Sequence, residues 1–371
     1  MQIPVIKKVQ ELGYICIVAD QDENAPGFQY ADFNYIVSTL DYDGILSIAT
    51  KNNIDGILTT SDLPVRTVAY VCERLDLNGL SRKAANICTD KFMQREILSN
   101  CNQKIIVPKH VLIQSSDNIT NKIKNLEFPL MVKPIDSSAS RGVSKINNIV
   151  DLEYAYQHAM QYSKNGKVII EEFIEGPEYS VESITLNGRS FIIAITEKTI
   201  YQTNGTSFVE SRHVIPAELE NNKKREIEEF VKFVSREFDI NNCATHTEIK
   251  ITKNGIVLIE MAARLGGDYI TSDLVPLATG VDMLKNIIHI SINEPINICE
   301  SKKMYAGIQF IDANSYKIAK DFITKNGNKL FRYELKPFKD TAIRSSLDRL
   351  GYIIASNKSR KDLIKILDFK S

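Results

Sequence analysis

The sequence lacks an excess of charge of either sign. Its 371 residues include 46 lysines and arginines and 46 aspartates and glutamates, so the formal net charge is zero. No block of lysine or arginine interrupts this balance, which argues against an extended nucleic-acid or membrane surface. Any binding of phosphate must therefore depend on a few local side chains.

Cysteines are few, and no two of them have the spacing of a metal or redox motif. They lie mostly in apolar or helical segments, as is typical of reduced core residues: Cys16, Cys72, Cys88, Cys101, Cys243 and Cys299. No apolar run approaches the length of a membrane span, and the opening residues predict an amphipathic helix rather than a signal peptide. These absences predict a cytoplasmic protein without nucleic-acid or membrane partners.

Two glycine-rich nucleotide motifs are also absent. There is no G-x-G-x-x-G, which argues against a nicotinamide-dependent enzyme, although Asp20 follows a predicted strand as such an enzyme would require. There is no Walker A loop, because the G-K-[ST] order does not occur. A nucleotide site in this chain would have to use other residues.

The hydrophobic pattern changes along the chain. Over residues 1–88, helices predicted at 3–12, 41–52 and 64–75 alternate with strands at 14–20 and 55–60, which predicts a doubly wound α/β domain. Because the sequence opens on a helix, we expect the first strand of that domain to be missing. Strands then predominate and predict α+β lobes over 89–175 and 176–300, followed by a small mixed α/β region over 301–371. The predicted fold class is α/β plus α+β.

The most informative segment is a predicted β-hairpin that contains Glu248 and Glu260. Its turn residues are Asn254-Gly255, and its strands alternate four β-branched apolar residues: Ile249, Ile251, Val257 and Ile259. A two-residue Asn254-Gly255 loop would put the glutamates on opposite faces. A three-residue loop over 253–255 would pair Glu248 with Glu260 and Ile249 with Ile259. We prefer the second register because it gathers the four apolar residues on one face.

The two facing carboxylates are candidate metal ligands. With β-carbons about 5 Å apart, they repel each other unless a cation or a proton lies between them. Mg²⁺ prefers carboxylate oxygens and usually keeps a phosphate as a further ligand. The alternative is a solvated strand face on which two acids happen to fall.

Two upstream segments have residue types suited to a nucleotide. Lys133 ends a predicted buried strand and precedes the small, hydroxyl-bearing loop D-S-S-A-S-R-G, which would allow backbone N–H groups to approach phosphate oxygens. In E-E-F-I-E-G-P-E, backbone groups near Glu172 and Ile174 would bind an adenine edge, and Glu178 would accept from ribose hydroxyls. The alternatives are an ordinary turn and an acidic strand end.

The order of these parts resembles the ATP-grasp superfamily. Thr89-Asp90-Lys91 comes first, followed by Lys133 and its loop, the E-E-F-I-E-G-P-E run, and the glutamates of T-H-T-E-I-K and L-I-E-M-A-A-R. The chain looks most like the carboxylate–amine ligase branch, which includes bacterial L-amino-acid ligases and is related to biotin carboxylase and the carbamoyl phosphate synthetase large chain. The resemblance covers about residues 1–300.

The resemblance implies an ATP-grasp fold and an enzyme that uses ATP and Mg²⁺, with Mn²⁺ as an alternative ion, on small-molecule carboxylate and amine substrates. It also allows a homodimer. For ATP phosphates it implies Lys91 and Lys133 under the loop residues Ser137, Ser138, Ser140 and Gly142. It implies that Glu171, Glu172 and Ile174 contact adenine and that Glu178 contacts the ribose. It implies that Glu248 and Glu260 bind the metal. It also implies that Arg264 stabilises the acyl phosphate and that His213 lies beside the acceptor.

One departure and two rival functions accompany this interpretation. Many members of the superfamily carry an asparagine where this chain has Ala262, so one ligand of a second metal ion is missing. The rivals are a different ATP-dependent reaction, such as carboxylation or phosphorylation without ligation, and a non-catalytic nucleotide sensor. Asp62 follows a predicted strand, and open α/β sheets place ligands at the carboxyl ends of their strands, so one interpretation is that Asp62 faces the acceptor. Helix capping is the safer interpretation, because Asp62 precedes a proline-led helix.

Overall fold

The computed structural model describes residues 2–103, 105–115, 117–138, 140–201, 209–343 and 345–370. Within these ranges, helices α1 to α12 are, in order, Ile3–Glu11, Tyr42–Asn52, Val65–Leu75, Arg82–Cys88, Lys91–Ser99, Ile119–Lys122, Leu152–Tyr162, Asn221–Glu237, Val275–Thr279, Met283–Ser291, Tyr316–Asn326 and Arg360–Leu367. Strands β1 to β14 are Ile17–Asp20, Phe33–Ile36, His110–Gln114, Leu130–Pro134, Ser144–Ile146, Lys167–Glu172, Glu178–Leu186, Arg189–Ile200, Glu210–Ile215, Cys243–Thr252, Gly255–Ala262, Tyr305–Ile311, Arg332–Leu335 and Gly351–Asn357. Among these described helices, none combines the length and the apolar character that a membrane crossing needs.

The N-terminal region contains the parallel pair β1–β2 with α1 to α4 around it. The strand predicted over 55–60 is wrong, since these residues form no strand. Gly56 lies so close to α10 that an added Cβ would stand 2.5 Å from the Ser291 carbonyl oxygen. At the other end, the Gln2 side chain accepts hydrogen bonds from the Thr60 backbone N–H and from its hydroxyl. The segment is therefore held by contacts with α10 and the chain start rather than by a strand partner.

A four-stranded antiparallel sheet forms the first lobe around the predicted phosphate loop. Its order is β3-β6-β4-β5, and its core joins apolar residues of the strands to one face of α7. Leu130, Val132, Val168 and Ile170 are fully buried there. Strand β3 begins at His110, and an isolated bridge joins Ile106 to Val257 before it. This sheet positions Lys133 and Glu171 on neighbouring strands.

An eight-stranded sheet forms the second lobe, in the order β11-β10-β7-β8-β9-β12-β14-β13. Helix α8 covers one face, with Ile227, Val231 and Phe238 fully buried against the sheet. The strands of the 301–371 region continue this same sheet through the pairing of β12 with β9. The division into domains stays a prediction, and the sheet itself takes strands from both sides of residue 300.

Helix α5 joins the two lobes. The amide of Gln94 donates to the Met261 carbonyl and accepts from its N–H, so it pairs with the edge strand β11. The next residue, fully buried Arg95, contacts Glu171 of the first lobe and the Ile259 carbonyl of the second. A cavity remains between the lobes beside this helix, and it contains the candidate site.

Candidate active site

The cavity between the two lobes has a volume of about 150 Å³. It brings together residues predicted from four separate segments of the sequence, together with several that were not predicted. Predicted residues that line it are Lys91, Lys133, Ser137, Ser138, Ser140, Glu171, Glu172, Ile174, Glu178, Glu248, Glu260 and Arg264. Two predicted residues, Gly142 and His213, are not part of its lining.

The hairpin β10–β11 pairs Glu248 directly with Glu260. This facing was predicted and is confirmed, but both loops considered for the turn are wrong. Thr252 pairs with Gly255, so the loop is Lys253-Asn254, and the Thr252 hydroxyl closes it by donating to the Gly255 carbonyl. Such a short loop alone would have put the glutamates out of register.

A β-bulge at Ile259 restores the facing. Glu260 pairs with Glu248, whereas the next pair is Ile249 with Leu258, so Ile259 has no partner across the ladder. The predicted pairing of Ile249 with Ile259 is therefore wrong. Ile259 lines the cavity instead, and its carbonyl accepts a 2.7 Å hydrogen bond from Arg95. The bulge thus aims Glu260 at Glu248 and holds that edge of the hairpin on α5.

Each facing carboxylate already has a lysine partner. Lys198 Nζ donates to Glu248 Oε1 at 2.6 Å, and Lys91 Nζ donates to Glu260 Oε1 at 2.9 Å. Burial would raise the pKa of Glu248, but Lys198 and then His246 outweigh it and hold the pKa well below its ordinary value. The Glu248 carboxylate is therefore ionised at neutral pH, as a metal ligand must be.

Lys198 is the centre of the acidic side of the cavity, and sequence reasoning missed it. Its side chain is 2% exposed, and Nζ lies 2.7 Å from Glu178, 2.6 Å from Glu248 and 3.3 Å from Glu210. Burial would lower the pKa of Lys198, but Glu178, Glu248 and Glu210 raise it well above the ordinary value. The signal in the sequence was a lysine three residues after the end of the apolar run F-I-I-A-I.

His246 and Glu182 form a second buried pair that was not predicted. His246 Nδ1 lies 2.6 Å from Glu182 Oε1, and its Nε2 lies 3.5 Å from Glu248. Burial would lower the pKa of His246, but Glu182 and then Glu248 raise it to about 9. Gly266 packs against the pair so closely that a Cβ would stand 2.7 Å from His246 Nδ1. The imidazolium thus lies beside Glu248 Oε1, the same oxygen that accepts from Lys198.

Lys133 is held by Glu171. The two side chains are in contact, and Arg95 Nε donates to the other Glu171 oxygen at 2.8 Å. Burial lowers the pKa of Lys133. Glu171 raises this pKa and Arg95 lowers it further, and the net result is a pKa below the ordinary value. Burial would raise the pKa of Glu171, but Arg95 and Lys133 lower it to about 2. The Glu171 carboxylate is therefore committed to these two cations, and of the predicted adenine segment it is residues 172–174 that stay open to the cavity.

We expect Glu171 to make the stability of the protein sensitive to acid. Because its folded pKa of about 2 lies below the ordinary 4.5, the ion pairs contribute fully above pH 4.5, and the contribution is lost as the pH falls from 4.5 through about 2. The shift corresponds to roughly 3 kcal/mol. Urea unfolding at pH values from 7 to 2.5 would measure it. Glu171→Gln should be less stable at pH 7 and show a flatter pH dependence.

Glu172→Gln is the matched control for this prediction. Glu172 is the neighbouring acid and pairs at 3.2 Å with the exposed Lys109, so its removal should change the free energy of unfolding by less than about 1 kcal/mol. An acid dependence in Glu171→Gln as steep as that of the wild type would show that another group causes it.

The predicted phosphate loop closes one end of the cavity. Lys91 Nζ donates to the Ser137 carbonyl at 2.6 Å, and Arg141 Nε donates to the Ser138 carbonyl at 3.2 Å. Gly142 has a φ of +74° and packs against Tyr162 and Pro134, so its place is in the turn behind the loop. Ala139 lies outside the described residues.

Arg264 and His213, the two predicted catalytic residues, are placed differently. Arg264 lines the cavity and forms a bidentate ion pair with Asp62. His213 lies behind the cavity at 3.7 Å from Asp268, with its ring against Phe310. The role predicted for His213 beside the acceptor stays a prediction, and Glu210, three residues earlier on β9, lines the cavity in its place.

The helix-capping interpretation of Asp62 is wrong. The N-cap of α3 is Pro64, and no side chain caps this helix. The Asp62 backbone carbonyl accepts from the Val65 N–H, while the carboxylate contacts Arg264 about two hundred positions along the chain. A contact of this sequence separation leaves no local pattern from which it could have been predicted.

The residues present fit a hard divalent cation held together with a nucleotide. Among the described residues, no three histidine, cysteine or acidic side chains are placed to chelate a metal by themselves. Glu248 and Glu260 face each other across one strand pair, and Lys91 and Lys133 stand nearby to bind phosphate. Mg²⁺ is commonly held by one or two carboxylates plus substrate phosphates, which is the donor set available here.

Comparisons with known proteins agree with this geometry. The family model described as an ATP-grasp domain matches residues 126–273. The alanine–anticapsin ligase of Bacillus subtilis is 30% identical over 270 residues, covering 66% of this chain and 56% of the relative. The formate-dependent phosphoribosylglycinamide formyltransferase of Methanocaldococcus jannaschii is 27% identical over 187 residues, covering 49% of this chain and 47% of the relative. The chain thus spans about half the length of the curated relatives it matches.

Solved structures match over nearly the whole chain. The L-amino acid ligase of Bacillus licheniformis superposes with a TM-score of 0.80 at 19% identity, covering 99% of this chain and 94% of that one. The phosphoribosylglycinamide synthetase of Anaerococcus prevotii superposes with a TM-score of 0.73 at 20% identity, covering 99% and 94%. At these identities the likeness shows the fold, and the site has to be argued from its own residues.

Proposed function

Since this chain belongs to the ATP-grasp superfamily, we propose that it is an ATP-dependent carboxylate–amine ligase, which forms an amide or peptide bond through an acyl phosphate. The observation that carries the proposal is the convergence in one cavity of two facing carboxylates, two lysines and Arg264. The curated relative named as a ligase of alanine and anticapsin supports the same class of reaction. The substrates are small-molecule carboxylates and amines.

ATP occupies the cavity with its phosphates at the loop end. Lys91 and Lys133 contact the phosphates, and the loop residues Ser137, Ser138 and Ser140 lie over them. Adenine lies against the segment 172–174, where the Ile174 carbonyl already accepts from Lys250 at 3.0 Å. Ribose hydroxyls donate to Glu178.

Glu248 and Glu260 would hold Mg²⁺ together with ATP phosphate oxygens, and Mn²⁺ would serve in its place because both are hard ions with a preference for oxygen. When bound, the ion neutralises phosphate charge that would otherwise repel a carboxylate nucleophile. Lys198 and His246 fix the orientation of Glu248, and Lys91 fixes that of Glu260. Ala262 offers no ligand, so the described protein ligands of the metal are the two glutamates.

The reaction has two steps. A substrate carboxylate oxygen attacks the γ-phosphorus, the bond from that phosphorus to the β,γ-bridging oxygen breaks, and ADP leaves with the electron pair. The amine nitrogen then attacks the acyl carbon, the bond from carbon to the phosphate oxygen breaks, phosphate leaves, and the amine proton passes to water. Position and charge are the contribution of the chain: Lys133 and Arg264 take up charge on the transferred group.

The proposal is tested by measuring ADP and phosphate release from Mg·ATP across a panel of amino acids and small carboxylic acids, with mass spectrometry of the products. A ligase releases both only when a carboxylate and an amine are present, and the product mass equals their sum less one water. Release that needs bicarbonate or a carboxylate alone would favour the other ATP-dependent reactions. If the protein binds ATP but no substrate causes release of ADP and phosphate, the ligase proposal is wrong and a nucleotide sensor is favoured.

A further inference from the structure

Arg264 is held in a defined orientation by two partners. Its Nε donates to Asp62 Oδ1 at 2.8 Å, its Nη2 donates to Asp62 Oδ2 at 3.0 Å, and its Nη1 donates to the Leu265 carbonyl at 2.9 Å. A guanidinium has five N–H groups, so one on Nη1 and one on Nη2 remain for a ligand. Arg264 lines the cavity, and these two N–H groups are the ones available there to an anionic group.

Asp62 is itself fixed by the N-terminal region. It belongs to the loop between residue 60 and α3, where the Gln2 side chain accepts from Thr60 and the Asp62 carbonyl accepts from the Val65 N–H. The side chains of Asp62 and Arg264 are 24% and 16% exposed. Burial would raise the pKa of Asp62, but Arg264 lowers it below its ordinary value, so the carboxylate is ionised at neutral pH.

Without Asp62, Arg264 would have other acids to pair with. Its charge also interacts with Glu260 and Glu248, the two candidate metal ligands, which stand on the same sheet edge. An arginine free to turn towards these glutamates would compete with the metal and leave its position beside the transferred phosphoryl group. A bidentate pair with a carboxylate from another part of the chain prevents that movement.

We propose that Asp62 is a positioning residue, which holds the Arg264 guanidinium towards the acyl phosphate and away from the metal ligands. The N-terminal region thereby contributes a residue to the active site. This inference rests on the proposed function, because it assigns Asp62 a part in the acyl-phosphate step. Asp62 touches no reacting atom, and the partner through which it acts in this proposal is Arg264, which it holds by two hydrogen bonds. Its carboxylate also interacts with the Ser138 side chain and with the charge of Lys91.

The first test separates turnover from nucleotide binding. Asp62→Asn keeps the size of the side chain and removes its charge, and we expect kcat for amide formation to fall about 10- to 100-fold, with the KM for ATP changed less than about threefold. Asp62→Glu, which restores the carboxylate, should recover part of the rate. The matched control is Asp20→Asn, because Asp20 ends strand β1 in the same region and its side chain accepts only from the nearby Asp22 N–H among the described contacts. Equal loss of ATP affinity and of kcat in Asp62→Asn, or no gain in Asp62→Glu over Asp62→Asn, would overturn the inference.

A second measurement does not depend on knowing the substrates. Inorganic phosphate is titrated calorimetrically into the wild type and into Asp62→Asn, each saturated with Mg·ADP, because phosphate beside Mg·ADP stands where the transferred group would be. We expect phosphate affinity to fall at least tenfold in the variant while Mg·ADP affinity stays the same. Unchanged phosphate affinity overturns the role of Asp62. Absence of substrate-dependent ADP release in the wild type instead overturns the proposed ligase, so the two failures are distinct.

Discussion

Glu260→Gln is expected to lower kcat/KM for amide formation by about 10³-fold while leaving the protein folded. The amide keeps the size of the side chain but removes one of the two facing charges on which metal binding depends. It also removes the ionic partner of Lys91, which lies 2.9 Å from Glu260. The Glu260 side chain is 23% exposed in the cavity wall and takes no part in the apolar core, so the fold should be retained. Because the buried Lys91 loses its ion-pair partner, we expect a loss of stability of about 1–3 kcal/mol.

The measurement pairs steady-state kinetics with metal binding. Mn²⁺ is titrated into each protein in the presence of ADP and followed by electron paramagnetic resonance, and the variant should bind it at least tenfold more weakly. The control is Glu226→Gln, an exposed acid on α8 that contacts only Lys223 among the described residues. Wild-type turnover in Glu260→Gln would remove this residue from the site. Lost turnover with unchanged Mn²⁺ affinity would assign it a role other than metal binding.

The hairpin shows how a correct prediction can follow from an incorrect step. The period-two pattern and the turn residues predicted that Glu248 faces Glu260, and the facing is confirmed, yet it arises from a two-residue loop and a bulge rather than from a three-residue loop. A bulge changes register by one residue without changing the apolar pattern on either side of it. The sequence therefore predicts the two strands and a turn between them. The shorter loop and the bulge shift the register by one residue in opposite directions, so the pattern of apolar residues reveals neither of them.

The parts of the site that were not predicted depend on contacts between distant segments. The ordered motifs located Lys91, Lys133 and Arg264 because each belongs to a local run with a recognisable composition. Lys198 and Asp62 belong to no such run, and each acquires its role from partners on other strands. The ionised state of Lys198 and Asp62 is likewise set by their charged partners, which outweigh the effect of burial and lie far away in the sequence.

The same reasoning explains the error at residues 55–60. The run D-G-I-L-T-T has the composition of a strand, but Gly56 packs against the backbone of Ser291, about two hundred and thirty positions away. Once the segment lies against α10, its edge is not available for pairing with β1. Strand propensity thus located an apolar segment correctly, but this segment packs against α10 and does not form a strand.

The second large effect is expected from Lys198→Met. Methionine has a similar volume but no charge, and its introduction leaves Glu178, Glu210 and Glu248 without their common partner in a site where the lysine was 2% exposed. Removing one member of a buried ion cluster costs up to about 3–5 kcal/mol. Glu248 keeps His246 and Glu210 keeps Arg349 as a cationic partner, so Glu178 loses most. We expect a loss of stability of this size, together with loss of substrate-dependent ADP release, since Glu178 and Glu248 would repel each other and leave their positions.

Mg²⁺ without nucleotide provides the sharper measurement of this charge cluster. Three adjacent carboxylates without a lysine attract a divalent cation, and binding to the folded state alone raises the melting temperature, so millimolar Mg²⁺ should stabilise Lys198→Met more than the wild type. Lys198→Arg keeps the charge and should respond as the wild type does. Lys83→Met, at a side chain that is 71% exposed, should change neither stability nor the response to Mg²⁺. If Lys198→Met is as stable as Lys83→Met, or gains nothing from Mg²⁺, then Lys198 does not organise the acids around it, and the orientation of Glu248 has to come from His246 alone.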